Sequence, residues 1–156
     1  MTSAQRVLVL CERGRAGAAA IDLAGHLAEL GNAMLTIVAV APQAPSGPRC
    51  GNSAVEYNQA VAESVARDLD WARERLAGAA EHAEFLLLID GADQTLEQVA
   101  RSGGFDLVLL PARWRPLRKP GHPAAAELSR VAGAEILIVG PASQTRREPR
   151  PAGAAG

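Results

Sequence analysis

The chain has 156 residues, which is the size of one domain and leaves no room for a second core. Hydrophobic residues make up 48% of it, but 32 residues are alanine and only five are aromatic, so Val, Leu, Ile and close-packed Ala must form the core. This composition excludes a mainly disordered chain, and the presence of only two cysteines excludes a disulfide-rich scaffold.

The net charge of −1 conceals an uneven distribution. Residues 112–122 carry four basic and no acidic side chains, residues 141–156 carry a net charge of +2, and the rest of the chain carries −7. The body is therefore acidic, whereas one loop and the C-terminal segment are basic. Such a loop either contacts phosphates or an acidic partner, or is a solvated surface loop.

Short apolar segments alternate with helical patterns along the chain. The apolar segments predict five strands, at Val7–Cys11, Met34–Val40, Phe85–Ile89, Leu107–Leu110 and Ile136–Val139. Four of the five are unbroken apolar runs, which is typical of strands buried on both faces.

Four helices are predicted between these strands. The first covers Ala16–Leu30 and stops at Gly31-Asn32, and the longest carries an apolar stripe from Val61 to Leu76. Asp93 is the expected N-cap of the third helix, and Pro123 suits the first turn of the fourth.

Strands that alternate with helices indicate a parallel sheet with helices on both faces. We therefore expect one α/β domain over residues 1–141, with an open, doubly wound sheet of five strands. Residues 142–156 are polar and rich in Pro, Gly and Ala, which predicts a disordered tail. Ligands of such sheets bind beyond the carboxyl ends of the strands, where the winding reverses.

Signatures of common catalytic and metal sites are missing from the sequence. Residues 12–17, after the first strand, lack the glycine spacing of a dinucleotide fold, and there is no P-loop or nucleophile elbow. The three histidines are far apart, and neither they nor the two cysteines have zinc-ligand spacing. We expect no metal and no catalytic group. No secretory signal or membrane segment is visible, which predicts a cytoplasmic protein with free thiols.

The sequence allows two interpretations for each of three residues. Cys11 ends a buried strand and is expected to be a small buried hydrophobe, although Arg13 and Arg15 would lower the pKa of a reactive thiol there. Trp71 lies beside the apolar stripe of the longest helix, where packing is favoured over recognition. Trp114 lies within the basic loop, where it either stacks on a base or folds over the sheet edge.

Four stretches, over about residues 6–141, carry a resemblance to a known protein family. "RVLVLCERGRAG…AIDLAGHLAELGNAMLTIVAV" is similar to its opening strand, helix and second strand, and "VAESVARDLDWARERLAGA" to its long second helix. "LIDGADQTLEQVARSGGFDLVLLPA" resembles the stretch that leads to its fourth strand, and "AELSRVAGAEILIVGP" its closing helix and strand. The family that the chain resembles in these stretches is that of the universal stress proteins.

The resemblance implies a sheet of strand order 3-2-1-4-5, as in the adenine nucleotide alpha hydrolase-like fold. It also implies homodimers that pair through the last strand, here Ile136, Leu137, Ile138 and Val139. An exposed apolar edge strand would favour such pairing. Members that bind ATP carry an aspartate after the first strand and a Gly-x2-Gly-x9-Gly-Ser/Thr motif after the fourth.

This chain departs from the family at both places. Glu12 stands where binders have aspartate, and the glycine-motif positions hold Pro111, Trp114, Ala124 and Ala125. Glycines let backbone amides close around phosphates, whereas proline has no amide and alanine has no hydroxyl. ATP binding in the family's manner is therefore not expected.

Two functions remain from this comparison. The first is a non-catalytic, stress-response-type regulatory homodimer that works without ATP and has no cofactor. The alternative is a sensor of AMP, cyclic AMP or ATP at the carboxyl ends of strands 1 and 4, with the base near Val40. Its ligand-binding residues would be Cys11, Glu12, Val40, Arg113, Trp114 and Arg115, with the arginine side chains contacting a small anionic ligand.

A nucleotidyl transferase or ligase is less favoured, because it would need a His-x-Gly-His or synthetase loop after the first strand. Nucleic-acid binding is also disfavoured, since the basic loop is short. A membrane partner is not expected.

Overall fold

A computed structural model describes residues 5–42, 54–89, 94–112, 125–140 and 146–148. The strands are β1 (Arg6–Leu10), β2 (Met34–Ala41), β3 (Ala83–Ile89), β4 (Leu107–Pro111), β5 (Glu135–Val139) and β6 (Arg146–Glu148). The helices are α1 (Arg15–Gly31), α2 (Ala54–Leu76), α3 (Leu96–Ser102) and α4 (Ala125–Ala132), and a 3-10 segment, Ala77–His82, links α2 to β3.

The strands form one sheet of order β3-β2-β1-β4-β5-β6. The first five are parallel, which confirms the predicted order 3-2-1-4-5 and the helical crossovers between strands. β4 is buried along its whole length, and β1 is buried from Val7 to Leu10, as expected for the centre of such a sheet.

The two faces of the sheet carry separate hydrophobic clusters. On the first face, Val7, Val9 and Ile37 pack against α1 and α2. On the second face, Leu8, Val38, Val108 and other strand residues pack against α3 and α4. Alternate residues of each strand therefore pack in opposite layers. Two site residues can contact the same ligand only if they lie on the same face of the sheet.

Alanine supplies much of the first layer. Ala20, Ala24, Ala28 and Ala72 of the two helices are all buried in this cluster. Small side chains let helices approach closely at little entropic cost, so the alanine-rich composition suits helices packed flat on the sheet.

Helix ends follow local chemistry. Asn32, just after α1, adopts a left-handed conformation (φ 55°), and its N–H donates to Leu27 O, as the Gly31-Asn32 stop predicted. α3 begins after Thr95, whose Oγ1 accepts a hydrogen bond from Gln98 N at 3.2 Å, while Gln98 Oε1 accepts one from Thr95 N at 2.9 Å. This capping box corrects the expected Asp93 cap; Asp93 lies outside the described residues.

The C-terminal segment corrects two predictions. Residues 146–148 form β6, so the prediction of disorder over residues 142–156 does not hold at these three positions. β6 pairs antiparallel with β5, with Leu137 opposite Arg147, so Ile136, Leu137 and Ile138 are not an open edge of the sheet. The physical reason is that the outer N–H and C=O groups of β5 take the nearest partner strand, which returns after a short connection.

Candidate functional site

The candidate site lies at the carboxyl edge of the sheet, where β1 leads into α1. Beyond β1, Cys11 N donates to Val38 O at 2.7 Å, so pairing with β2 continues for one residue. Gly14 then turns the chain with a φ of 114°, which favours glycine, and α1 begins at Arg15. A β-carbon on Gly17, in the first turn of α1, would overlap the carbonyl oxygen of Glu12, so the loop lies directly against the helix.

Cys11 faces the first layer, against α2. Its Sγ donates a weak hydrogen bond to Asp68 O at 3.5 Å. Burial, and secondarily the charge of Asp68, raise the pKa of the Cys11 thiol from 9.0 to about 12, although Arg13 opposes this. Cys11 is therefore held as a neutral thiol, as the buried-hydrophobe reading expected.

An ion pair lies beside this thiol, since both of its charges act on Cys11. Arg13 Nε lies 2.8 Å from Asp68 Oδ1, and the guanidinium carbon of Arg13 lies 5.8 Å from the centroid of the Trp71 ring. Burial raises the pKa of Asp68, while Arg13 lowers it by charge and hydrogen bonding. Trp71 packs partly buried against the first cluster, which agrees with the packing role favoured from the sequence.

A cleft lies on the second face, beside Val40. Its volume is about 150 Å³, and its walls are formed by Val40, Leu88, Ile89, Gln94, Thr95, Leu96 and Glu97. These residues come from the carboxyl ends of β2 and β3 and the start of α3. Leu88 and Leu96 are buried, so the cleft has apolar walls, and Glu97 is among its lining residues.

The pairing of β1 with β2 ends at Leu10, opposite Val38, and Glu12 lies in the loop beyond the paired strand. Glu12 is not among the described residues that line the cleft. One carboxylate oxygen of Glu12, Oε2, is buried. Cys11 packs against the first cluster, on the opposite face from the cleft, so among the predicted ligand-binding residues that the structure describes, Val40 alone lines the cleft.

The remaining predicted ligand-binding residues, Arg113, Trp114 and Arg115, lie outside the described residues. The strand that precedes them is described: Pro111 ends β4, and Ala112 N donates to Val139 O at 2.8 Å. These three residues therefore follow a strand that ends at the same edge of the sheet as β1 and β2.

Sequence reasoning missed the wall formed by residues 94–97. The sequence signal for this wall was the Thr-x-x-Gln spacing of residues 95–98, which is typical of a capping box. This capping box determines where α3 begins and therefore the positions of Thr95 and Leu96. Within the described parts of the chain, no group of three or more His, Cys, Asp and Glu residues is placed to hold a metal ion.

Several solved structures share this architecture. A universal stress protein family member from Burkholderia pseudomallei has a TM-score of 0.64 at 23% identity, covering 86% of this chain and 95% of its own. The universal stress protein UspA from Lactobacillus plantarum has a TM-score of 0.67 at 18% identity, covering 89% and 99%. The fold is that of the universal stress proteins.

A third universal stress protein structure, a complex with cAMP, has a TM-score of 0.58 at 21% identity and covers 88% of this chain and 98% of its own. All three identities are low, so these likenesses establish the universal stress protein fold. No family model matches the sequence, and no curated protein matches it either. Among the described helices, none combines the length and apolar character needed to cross a membrane.

Proposed function

We propose that this chain is a non-catalytic regulatory protein of the universal stress family that binds an adenine nucleotide with a short phosphate group, such as AMP or cAMP, and works as a homodimer. The observation that carries the nucleotide proposal is the cleft beside Val40 at the carboxyl edge of the sheet. Structures of the same fold hold cAMP, dAMP or AMP, which supports this ligand class.

The cleft suits a flat ring. Its volume of about 150 Å³ is similar to that of an engineered apolar cavity that binds benzene. Val40, Leu88 and Leu96 provide apolar walls on which a base would bury its faces, while Thr95 adds a polar group at the rim.

Glu12 and Glu97 favour a sugar over a long phosphate chain. A carboxylate beside a nucleotide site accepts hydrogen bonds from ribose hydroxyls, as acidic residues do in dinucleotide folds. We propose that the loop after β1 places Glu12 near the ribose of a base bound in the cleft, since β1 and β2 are adjacent parallel strands that end at the same edge of the sheet. Carboxylates repel a triphosphate. This repulsion disfavours ATP further, in addition to the loss of the glycine motif that would bind its phosphates.

The last residue of β4 and the glycine-motif positions that follow it also disfavour ATP. Pro111 has no amide to donate and Ala125, the first residue of α4, has no hydroxyl. We propose that Arg113 and Arg115 contact a single phosphate with their side chains instead, since guanidinium groups bind phosphate oxygens bidentately.

A thermal-shift series with ATP, AMP and cAMP tests the proposal. A ligand that binds only the folded state raises its stability by about 2.7 kcal/mol at one hundred times Kd, and each kcal/mol raises Tm by about 2–4 °C in a chain of this size. We expect AMP or cAMP to raise Tm more than ATP does.

Two matched variants on β2 locate the site. Val40→Phe fills the cleft and should abolish the shift, whereas Met34→Phe, at the exposed amino end of the same strand, should retain it. A shift that survives Val40→Phe would place the nucleotide elsewhere, and a larger shift with ATP would overturn the short-phosphate proposal.

The second candidate is a regulatory homodimer that works without any nucleotide. It is favoured by the four replaced glycine-motif positions, 111, 114, 124 and 125. No thermal shift with any of the three nucleotides at millimolar concentration would select it, whereas a clear shift that is lost in Arg113→Ala would exclude it.

A further inference from the structure

Among the described strands, β3 lies at the end of the sheet with an unpaired outer edge. The strand order ends at β3 on one side, and β6 covers β5 on the other. Among the described residues, none pairs with the outer side of β3. The strand is nevertheless seven residues long and carries a single charge, on Glu84.

β3 also exposes apolar surface. Leu87 is 36% exposed, and Phe85, Leu86 and Ile89 are only partly buried. Natural proteins protect long apolar edge strands with charges, prolines, bulges or a covering segment, because an open edge pairs readily with another chain. Glu84, near the amino end, is the one such device within β3.

We infer that two copies of this chain pair antiparallel along β3, in a register centred on Leu86. This inference rests on the homodimer in the proposed function and names its interface, but it does not depend on the nucleotide. It replaces pairing through the last strand, because β6 already occupies that edge.

Symmetry selects the register. A two-fold axis perpendicular to the sheet keeps each copy's faces on the same side, so a residue can oppose only residues an even number of positions away. Centring on Leu86 pairs all seven residues of Ala83–Ile89. It places Phe85 opposite Leu87 of the second copy, an aromatic–aliphatic pair that covers both partly exposed side chains.

The helix above β3 adds complementary charges. The Arg73 guanidinium carbon lies 4.5 Å from the centroid of the Phe85 ring, and Arg73 Nη1 lies 3.6 Å from Asp70 Oδ1. Both side chains are exposed, at 56% for Arg73 and 68% for Asp70.

The relative positions of α2 and β3 determine which residue of the second copy lies near Arg73. α2 connects two adjacent parallel strands, so it runs antiparallel to β3. Moving two strand residues, from Phe85 to Leu87, covers about 6.6 Å, and moving three helical residues, from Arg73 back to Asp70, covers about 4.5 Å. Asp70 therefore lies within about 2 Å of the level of Leu87. In the proposed dimer, Arg73 of one copy is close to the level of Asp70 of the other, twice across the axis.

Sedimentation equilibrium of the full-length protein tests the interface. We expect a dimer for the wild type and a dimer for Leu30→Lys, which changes an 86% exposed leucine at the far end of α1. Leu87→Lys places a charge in the edge and should raise the dimer dissociation constant at least tenfold, with an unchanged circular dichroism spectrum.

Charge reversal provides a second test that does not touch the core. Asp70→Arg and Arg73→Asp should each weaken the dimer several-fold, because each creates like-charge pairs across the axis. The double variant should restore the affinity of the dimer. Added salt should reduce the difference in dimer affinity between each of the three variants and the wild type.

The outcomes separate the interface from the homodimer. A wild-type monomer at every concentration overturns both. A dimer that is insensitive to Leu87→Lys and to charge reversal overturns the β3 interface and leaves the homodimer. If Leu87→Lys fails to fold, the charge-reversal variants test the β3 interface by themselves. These variants should fold, since Asp70 and Arg73 are exposed.

Discussion

The main-chain oxygen of Glu12 occupies the space that a β-carbon on Gly17 would need. Gly17 is buried in the first turn of α1, and the loop after β1 folds back onto it. A helix glycine normally costs stability, so its presence here has a packing reason. The contact fixes the loop that carries Glu12 at the candidate site.

We predict that Gly17→Ala destabilises the protein by about 3 kcal/mol, because the overlap is with backbone atoms that cannot rotate away. Urea unfolding measures the change. The variant should also weaken any nucleotide shift, since Glu12 must move.

Gly25→Ala is the matched control in the same helix. A β-carbon there would lie 3.4 Å from Leu76 Cδ2, which is the end of a flexible side chain. Alanine has the higher helix propensity by about 1 kcal/mol, so this variant should be neutral or stabilising. Equal losses for the two variants would contradict the steric explanation.

Cys11 should be unreactive in the folded protein. In a Cys50→Ser background, a thiol reagent at pH 8 should label Cys11 only after unfolding, because the pKa of the folded thiol is raised to about 12. Rapid labelling of the folded protein would contradict this assignment.

The same shift predicts how stability depends on pH. The unfolded thiol loses its proton near 9.0, whereas the folded thiol keeps it up to about pH 12. Between these values the unfolded state binds fewer protons, so the free energy of unfolding falls as pH rises, by at most about 1.4 kcal/mol per pH unit. Cys11→Ala should lack this contribution, and the difference between the two proteins removes the effect of other groups that titrate there.

The strand order could be predicted because its signals are local. Unbroken apolar runs such as Leu107–Leu110 indicated burial on both faces, and the Gly31-Asn32 stop indicated the end of α1. Together with the resemblance, these patterns were sufficient for the order of five parallel strands.

The sixth strand could not be predicted in this way. Arg146–Glu148 has no apolar pattern, and its pairing depends on backbone groups that any sequence possesses. The position of this strand follows from the open side of β5, which is a property of the assembled sheet.

The candidate site was predicted only in part for a related reason. Cys11 and Val40 were both predicted as ligand-binding residues, but Cys11 packs on the first face of the sheet and Val40 on the second. The cleft itself joins Val40 to residues 94–97, which are more than fifty positions away. The walls of the cleft form only when β2 and residues 94–97 pack together, and neither segment has a sequence pattern that predicts this packing.

Asp22 and Arg75 join α1 to α2 in a bidentate ion pair. Arg75 Nε lies 2.7 Å from Asp22 Oδ1 and Arg75 Nη2 lies 2.9 Å from Asp22 Oδ2, with both side chains partly exposed. A double-mutant cycle should give a coupling energy of about 0.2–1 kcal/mol, near the upper end because of the geometry. Arg75→Lys should lose most of it, since lysine cannot form the fork.

Glu127 and Arg130 on α4 provide the comparison. Arg130 Nη2 lies 3.8 Å from Glu127 Oε1, and Arg130 is more exposed than Arg75. Its coupling energy should be smaller than that of the Asp22–Arg75 pair, and molar salt should diminish both. A larger coupling for the Glu127–Arg130 pair would show that geometry does not control these contributions.

β6 should protect β5 from exchange with solvent. Arg147 lies opposite Leu137, at the centre of the three-residue pairing. Arg147→Pro removes an amide and disfavours the strand, so hydrogen exchange across β5 should accelerate. The free energy of unfolding should fall by about 1–3 kcal/mol, because few hydrogen bonds are lost.

Arg147→Ala keeps the backbone amide and tests whether the backbone or the side chain is responsible. We expect it to retain both the exchange rates and the stability of the wild type. An opened β5 edge should also let the proline variant associate beyond the wild-type state in sedimentation equilibrium, since a second unpaired edge then becomes available. Unchanged exchange of the β5 amides in Arg147→Pro would mean that β6 does not protect this edge in solution.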